Sequence, residues 1–431
     1  MNFLLNPMAM FLSVLLFLFI IAMPIAFSMG LTSIILMMMN GNIQYANIAQ
    51  QLMGGVNSFV ILAVPLFLLA GKLLNSSGIT DRIFTFCKVC VGYLPGGLGH
   101  VNVASSMVFS GMSGTAVSDA AGLGEIEIRA MRDAGYTSKF SGAITAASST
   151  VGPIIPPSLP MVIYGVSAGV SVGALFLAGI IPGLLTGVAL MILVAYLAKK
   201  RNFPREAKPS WKMFWIALKR AFLPLMTPII IIGGIYGGIF TATEAAAVAV
   251  VYAFVLSKFV YRELKWSDLI PVLRSTARDS AVLGLIVACA NLYGNVILRA
   301  QIPIDILEFV SSFATNQITF LIIVNVVLLI VGTFMETISA ITIMMPILLP
   351  LMHLYEVDPV HFGVIVVFNL MIGLITPPFG LVLFVISKIS NVNIFVLTKE
   401  LLPFIAILLV VLLIITFFPA LVLWLPNLMG R

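Results

Sequence analysis

The chain has 431 residues, 61% of them hydrophobic and only 9% charged, with a formal net charge of +7. A water-soluble fold needs a charged exterior that this composition does not supply. The chain therefore reads as an all-α polytopic membrane protein surrounded by lipid, and no nucleic-acid partner is expected.

A spanning helix needs about 20 apolar residues. The first stretch, MNFLLNPMAMFLSVLLFLFIIAMPIAFS, has no basic leader and no small-residue cleavage site, so it reads as a retained span over roughly 8–23. Spans at 25–39 and 56–74 follow. Cys87 and Cys90 then form a lone C-x-x-C. Cys289 is distant, and His100, His353 and His361 bring no companion pair, so these are small apolar side chains rather than metal ligands. The apolar stretch at about 100–124 carries Gly, Ser and Thr in its middle and reads as a hairpin that enters and leaves on one side. Lipid tolerates such a turn only where protein or a water cavity covers it. An interrupted span at 140–166 and a long one at 170–198 complete the first half. After a basic segment at 199–220, the second half offers spans at 221–240, 242–260 and 281–300. It continues with a second hairpin at about 318–351, an interrupted span at 361–387 and a last span at 402–428.

Charge fixes the orientation. Residues 199–220 hold eight basic side chains against Glu206 alone, so this connector is cytoplasmic. Counting crossings outward, Arg82, Lys88, Arg129, Arg132, Lys139, Lys258 to Arg278, Lys388 and Lys399 also fall inside. Of 23 basic residues only Arg299 and Arg431 fall outside, together with Asp305, Glu308, Glu356 and Asp358. Both termini are expected to face the exterior. The connector is either an amphipathic surface helix bearing Trp211, Phe214 and Trp215 or a solvated link.

The halves repeat. A shift of 221 residues carries Gly111 onto Gly332 and Gly152 onto Gly373. Gly152 is followed by Pro156-Pro157, and Gly373 by Pro377-Pro378. Five crossings and one hairpin per half invert the second repeat (221–431) against the first (1–198). Matched interruptions of this kind mark the binding site of a secondary transporter. Proline has no N–H and breaks the helical ladder behind it, which frees backbone carbonyls. Carbonyls beside Ser and Thr hydroxyls suit Na⁺, and half-helix N-termini suit an anion. Asp119 and Glu336 are intramembrane acids and therefore functional candidates, although Asp119 also fits the base of a hairpin. Glu244 reads as structural. Asn291, Asn295, Thr241 and Thr243 read as interhelical hydrogen-bonding groups. No P-loop, metalloenzyme cluster or nucleophile–base pair is present in the sequence, so neither an enzyme nor a bound cofactor is expected.

Four segments carry a family resemblance: FSGMSGTAVSDAAGLGEIEIRAM at 109–131, AASSTVGPIIPPSLPMVIYG at 146–165, GTFMETISAITIMMPILLPL at 332–351 and MIGLITPPFG at 371–380. With them the chain resembles, over essentially its whole length, the large membrane subunit of TRAP (tripartite ATP-independent periplasmic) transporters, within the ion-transporter superfamily. The resemblance implies an elevator-type carrier with a scaffold and a mobile transport domain. It implies Na⁺-coupled uptake of organic acids across a bacterial inner membrane. It also implies two partners, a periplasmic substrate-binding protein and a small membrane subunit, here expected as a separate chain because the sequence begins at its first span. Carried onto matching positions, the sodium ligands are Ser110, Gly111, Ser113, Thr115, Ser149, Thr150 and Gly152 in one half. In the other they are Gly332, Thr333, Glu336, Thr337, Gly373 and Thr376. Candidate substrate contacts are Ser113, Pro156, Pro157, Pro377 and Pro378. Family substrates include C4-dicarboxylates, sialic acids and other sugar acids, and SGMSGTAVSD resembles the sialic-acid and sugar-acid members more closely. A self-sufficient sodium/carboxylate symporter of the same superfamily is the alternative.

Overall fold

A computed structural model of the protein describes residues 7–39, 45–201 and 203–430. Residues 1–6 of the first stretch and Arg431, read as exterior, lie outside the described residues. Helices account for the secondary structure throughout, and no strand occurs among the described residues.

The first half runs α1 (Pro7–Ile20), α2 (Ile25–Met39), α3 (Tyr45–Val56), α4 (Ala63–Asn75) and α5 (Ile79–Val91). It continues with α6 (Gly97–Ser113), α7 (Ala116–Asp133), α8 (Ser138–Ser149), α9 (Leu159–Ala168) and α10 (Val172–Arg201). The second half runs α11 (Trp211–Tyr236), α12 (Ala242–Val255), α13 (Trp266–Arg299) and α14 (Ile302–Ser311). Then come α15 (Gln317–Phe334), α16 (Thr337–Leu354), α17 (Pro359–Gly373), α18 (Leu381–Ser390), α19 (Ile394–Phe417) and α20 (Pro419–Leu428). The shift of 221 residues holds at the helix ends. It carries α7 onto α16 at both ends, the starts of α3 and α8 onto those of α13 and α17, and the start of α6 to within one residue of that of α15. One helical plan is used twice along the chain.

Among the described residues seven helices are long and apolar enough to cross a membrane, or eight if the bent pair around residues 57–58 is one span. The sequence reading expected ten spans and two hairpins. Two of the eight, α15 and α16, are the limbs of hairpin two, so six of the ten expected spans pass; the other four do not because each interrupted span is two short helices, α8 with α9 and α17 with α18, and because α1 and α2 are only 14 and 15 residues long. Other boundaries also differ. The span expected at 56–74 begins at Tyr45 and bends by 53°. The span expected at 281–300 is a 34-residue helix from Trp266. The last span is broken at Phe418. In the connector, residues 203–210 are irregular and Trp211–Arg220 are the opening turns of α11, so no separate surface helix forms.

Local chemistry explains many of the starts. Thr115, Ser158, Ser210, Asn316 and Asp358 each accept a backbone N–H at the head of the following helix. Thr241 and Glu244 form a reciprocal capping box on α12. Each such cap contributes about 1 kcal/mol.

Two sets of helices, a frame and a hairpin group, pack within themselves and against each other, the latter through α5 on α6 and α13 on α16. In the frame, α4 lies on α12, α5 on α11, and α2 and α3 on α13. In the hairpin group, α6, α7 and α8 pack together, α15 lies on α17, α8 on α19, and the repeats interlock through α9 on α16 and α18 on α7. The described ion pairs all lie on the face read as cytoplasmic, including Lys72–Asp279 at 2.5 Å, Lys88–Glu206 at 2.9 Å, and Glu400 held by Arg201 and by Lys139 at 3.8 Å.

Candidate functional site

Each half seats a hairpin tip on a broken helix. In the first, α6 ends at Gly114, whose φ of 67° is left-handed and natural for glycine. The Gly114 carbonyl accepts the Leu159 N–H at 3.3 Å, which ties the tip to the head of α9. A Cβ on Gly111 would lie 2.8 Å from Pro228 of α11 and 3.6 Å from the Pro156 carbonyl. The tip is thus wedged between the break and the frame. In the second half the approach is closer still: a Cβ on Gly373 would lie 2.5 Å from the Gly332 Cα. The Pro156–Pro157 and Pro377–Pro378 peptide bonds are both cis.

The hydroxyls at these places have their protons engaged. Ser110 donates to the Ser106 carbonyl, Ser149 to Ala146 at 2.9 Å and Thr150 to Ala147 at 2.7 Å. Thr333 donates to Ile330 at 2.8 Å, and Thr376 to Ile372 at 2.7 Å. A hydroxyl with its single proton engaged has only lone pairs left to offer. Such a set, beside carbonyls freed by the breaks, fits a hard cation such as Na⁺. Two atoms at the tips support that fit: Asp119 Oδ2 and Thr337 Oγ1 are buried and have no hydrogen-bond partner among the described residues. Thr115 Oγ1 accepts the Ser118 N–H at 3.3 Å and caps α7. Glu336 does the same for α16, accepting Ile338 N–H at 2.9 Å and Ser339 N–H at 3.2 Å, so its charge faces the helix N-terminus.

The halves differ in exposure. Pro156 and Pro157 are buried, whereas Pro377 and Pro378 are exposed. The second tip also exposes Phe334 and Phe379, with ring centroids 5.5 Å apart and relative exposures of 59% and 56%. The equivalent residues of the first half, Ser113 and Ser158, are buried.

Sequence reasoning missed two features. One is a buried polar chain behind the first tip, in which Ser106 donates to Ser148, Ser148 to Asn102 at 2.7 Å, and Asn102 to Thr145 at 2.7 Å. Beside it Ser105 donates to Glu127 at 2.6 Å, and Glu127 is itself buried. The spacing of Asn102 and Glu127 on the inward faces of α6 and α7 was the available signal. The other is a cavity of about 520 Å³ between α3 and α13 of the frame and α9 and α16 of the hairpin group. Ser58, Ser167, Asn291, Asn295, Thr342 and Pro346 line it, along the limb of hairpin two rather than at its tip. Asn291 and Asn295 are indeed interhelical hydrogen-bonding groups, donating at 2.7 Å to the Gln51 carbonyl and to Gln51 Oε1. Thr243 likewise donates to the Phe59 carbonyl at 3.0 Å. Cys87, Cys90 and Cys289 are free thiols, and no cluster of three or more His, Cys, Asp or Glu with metal-site geometry occurs among the described residues.

Residues 12–421 match the family described as tripartite ATP-independent periplasmic transporter, DctM component. The sequence is 44% identical over 406 residues to the sialic acid TRAP transporter large permease protein SiaM of Vibrio cholerae, covering 94% of this chain and 95% of that protein. It is 38% identical over 403 residues to the C4-dicarboxylate TRAP transporter large permease protein DctM of Pseudomonas aeruginosa, covering 94% of each. The fold is similar to the crystal structure of the Alcanivorax borkumensis YdaH transporter, with a TM-score of 0.65 at 14% identity over 87% of this chain and 88% of that one.

Proposed function

The chain belongs to the DctM family of tripartite ATP-independent periplasmic transporters, as a large permease subunit, and we propose that it carries an organic acid inward, coupled to Na⁺. The observation that supports this reading is the pair of hairpin tips, each seated on a Gly-Pro-Pro break beside hydroxyls whose protons are donated to backbone carbonyls three or four residues earlier in the chain. Two such cation sites would let an imposed sodium gradient move the hairpin group against the frame, in an elevator-type step.

The substrate we assign is a sialic acid or another sugar acid rather than a C4-dicarboxylate. The cavity at the frame boundary holds about 520 Å³ and offers amides and hydroxyls, from Asn291, Asn295, Ser58, Ser167 and Thr342, with His353 as the one titratable side chain on its wall. Those groups suit a polyol bearing one carboxylate; a small diacid would call for two fixed cations in place of several of them. In this reading a periplasmic binding protein delivers the substrate and a small membrane subunit completes the permease. The complex sits in the bacterial inner membrane with both termini of this chain on the periplasmic side.

The test is uptake in proteoliposomes containing this chain with its small subunit and binding protein. Labelled sialic acid should accumulate under an inward Na⁺ gradient and not under an equal K⁺ gradient. Equal uptake in the two gradients removes sodium coupling. Preference for a C4-dicarboxylate removes the substrate assignment, and full uptake by the chain alone points to a self-sufficient symporter.

A further inference from the structure

The frame carries a basic and aromatic surface that neither the sodium reading nor the substrate reading uses. We infer that this surface, formed by the opening turns of α11 and the loop between α12 and α13, binds the phosphate headgroup of an anionic lipid in the cytoplasmic leaflet.

Three of the chain's four tryptophans lie here. Trp211, Trp215 and Trp266 are all exposed, yet each is held in place. Trp211 stacks on Phe214 with ring centroids 5.4 Å apart and meets Trp215 edge-on at 5.8 Å, and Phe214 leans on Phe86 of α5 at 6.2 Å. On the loop, Lys258 Nζ lies 4.4 Å from the Trp266 ring centroid, a cation–π contact, and Phe254 lies 6.4 Å from the same ring. The Tyr261 phenol donates to the Arg220 carbonyl at 3.3 Å and joins the two parts. Ordered rings that stay exposed beside basic groups are the pattern of a headgroup-level belt.

Depth along the helix agrees. A hydrocarbon core about 30 Å thick takes about 20 helical residues. Counted back from Tyr236, the last residue of α11, that places the edge of the core near Ala217. Trp215 and Trp211 then lie about 3 and 9 Å beyond the edge, at the level of the headgroups. Lys219 and Arg220 lie just within it, where long basic side chains reach back to the phosphates. Residues 211–220 precede the part of α11 whose Pro228 covers the first tip, so this surface is separate from the breaks.

The charge is available. Lys212, Lys219, Arg220, Arg262 and Lys265 are exposed, and none takes part in an ion pair among the described residues. The acids of the loop are engaged elsewhere: Arg82 holds Glu263, and Asp268 accepts the Lys265 N–H at 3.2 Å at the head of α13. Arg262 has a φ of 57°, in the left-handed region that residues with a Cβ rarely adopt. The turn thus exposes a guanidinium at some cost in backbone strain, and a guanidinium fork fits phosphate. Positive-inside bias alone requires neither that strain nor the rings. A lipid suits the surface better than a free anion because exposed Met213, Ile216, Phe259 and Val260 lie among the bases, where acyl chains would run.

The test is the melting temperature of the purified chain with its small subunit in detergent, titrated with phosphatidylglycerol or with phosphatidylcholine. Phosphatidylglycerol should stabilise the wild type at the lower lipid content. Lys219→Gln with Arg220→Gln, and separately Arg262→Gln with Lys265→Gln, should each raise the phosphatidylglycerol content at half-effect at least about tenfold. All four side chains are exposed, so the lipid-free melting temperature should hold. Lys219→Arg with Arg220→Lys keeps the charge and should stay within about threefold of wild type. Lys388→Gln with Lys399→Gln, two exposed bases of the hairpin group, should stay within about threefold as well. Equal stabilisation of the wild type by the two lipids overturns the inference, and so does a wild-type response in both of the frame's Gln pairs. An equal loss in the Lys388 and Lys399 pair reduces the effect to net charge and overturns it too. Inorganic phosphate that stabilises as well as phosphatidylglycerol makes this a free-anion site instead. A lipid preference shown by the chain alone and abolished by the small subunit makes the face a subunit interface, against the inference.

Discussion

The contact between Gly332 and Gly373 sets the geometry of the second site, and Gly373→Ala perturbs it directly. The added methyl would lie 2.5 Å from both Cα and C of Gly332 and 2.8 Å from its carbonyl oxygen. Ordinary contact begins at 3.4 Å, so the tip of hairpin two must retreat by about 1 Å. The obstructing atoms are backbone on both sides, and no rotamer change can relieve them. Overpacking of this kind costs about 1–3 kcal/mol, which lowers the seated population of the tip by about 5- to 150-fold. Gly332→Ala is the milder partner, since its nearest contacts are 3.1 Å from the Gly373 Cα and 3.3 Å from Leu370. Gly233→Ala and Gly284→Ala have no neighbour within 4 Å and should be neutral or stabilising by a few tenths to about 1 kcal/mol, because both lie inside helices. The assay is the Na⁺ concentration that half-activates uptake, measured beside the Na⁺-free melting temperature. The expected order of damage is Gly373→Ala, then Gly332→Ala, then the two controls. Wild-type Na⁺ dependence in Gly373→Ala, or greater damage from Gly332→Ala, refutes the reasoning.

Other outcomes follow from single contacts. Tyr164→Phe removes the 2.7 Å bond from the phenol to the Pro359 carbonyl, which links α9 to α17 across the repeats. It should lower stability by about 1–2 kcal/mol in chemical or thermal denaturation. Thr241→Val deletes the capping box of α12 and should cost about 1 kcal/mol by the same measurement while leaving the KM for substrate unchanged. Asn291→Ala removes the amide that donates to the Gln51 carbonyl, and with it an amide of the cavity wall, so substrate KM should rise about tenfold with the Na⁺ midpoint unmoved. An unchanged KM would remove the cavity from the substrate path.

The sequence by itself determined the features that local chemistry dictates. Apolar runs with few charges require a membrane protein. Pro156-Pro157 and Pro377-Pro378 must break their helices because proline lacks an N–H, and the 221-residue shift pairs the two breaks without any structure. Where a helix carries charge, hydropathy misleads: Arg274, Arg278 and Asp279 hide the first half of α13, which is largely exposed and meets Lys72 of α4 through Ser275 and Asp279, while α3 packs on the second half through Asn291. Tertiary structure alone decided the rest. Ser113 meets Asp119 only because Gly114 turns the chain between them, and Gln51 joins Asn291 and Asn295 from 240 residues away or more. Two breaks with the same motif end in opposite surroundings, Pro156-Pro157 buried beneath a tip that Pro228 covers and Pro377-Pro378 exposed beside Phe379. A motif fixes where the backbone must open; which neighbours close over the opening depends on side chains distant in sequence, and so do burial and charge compensation.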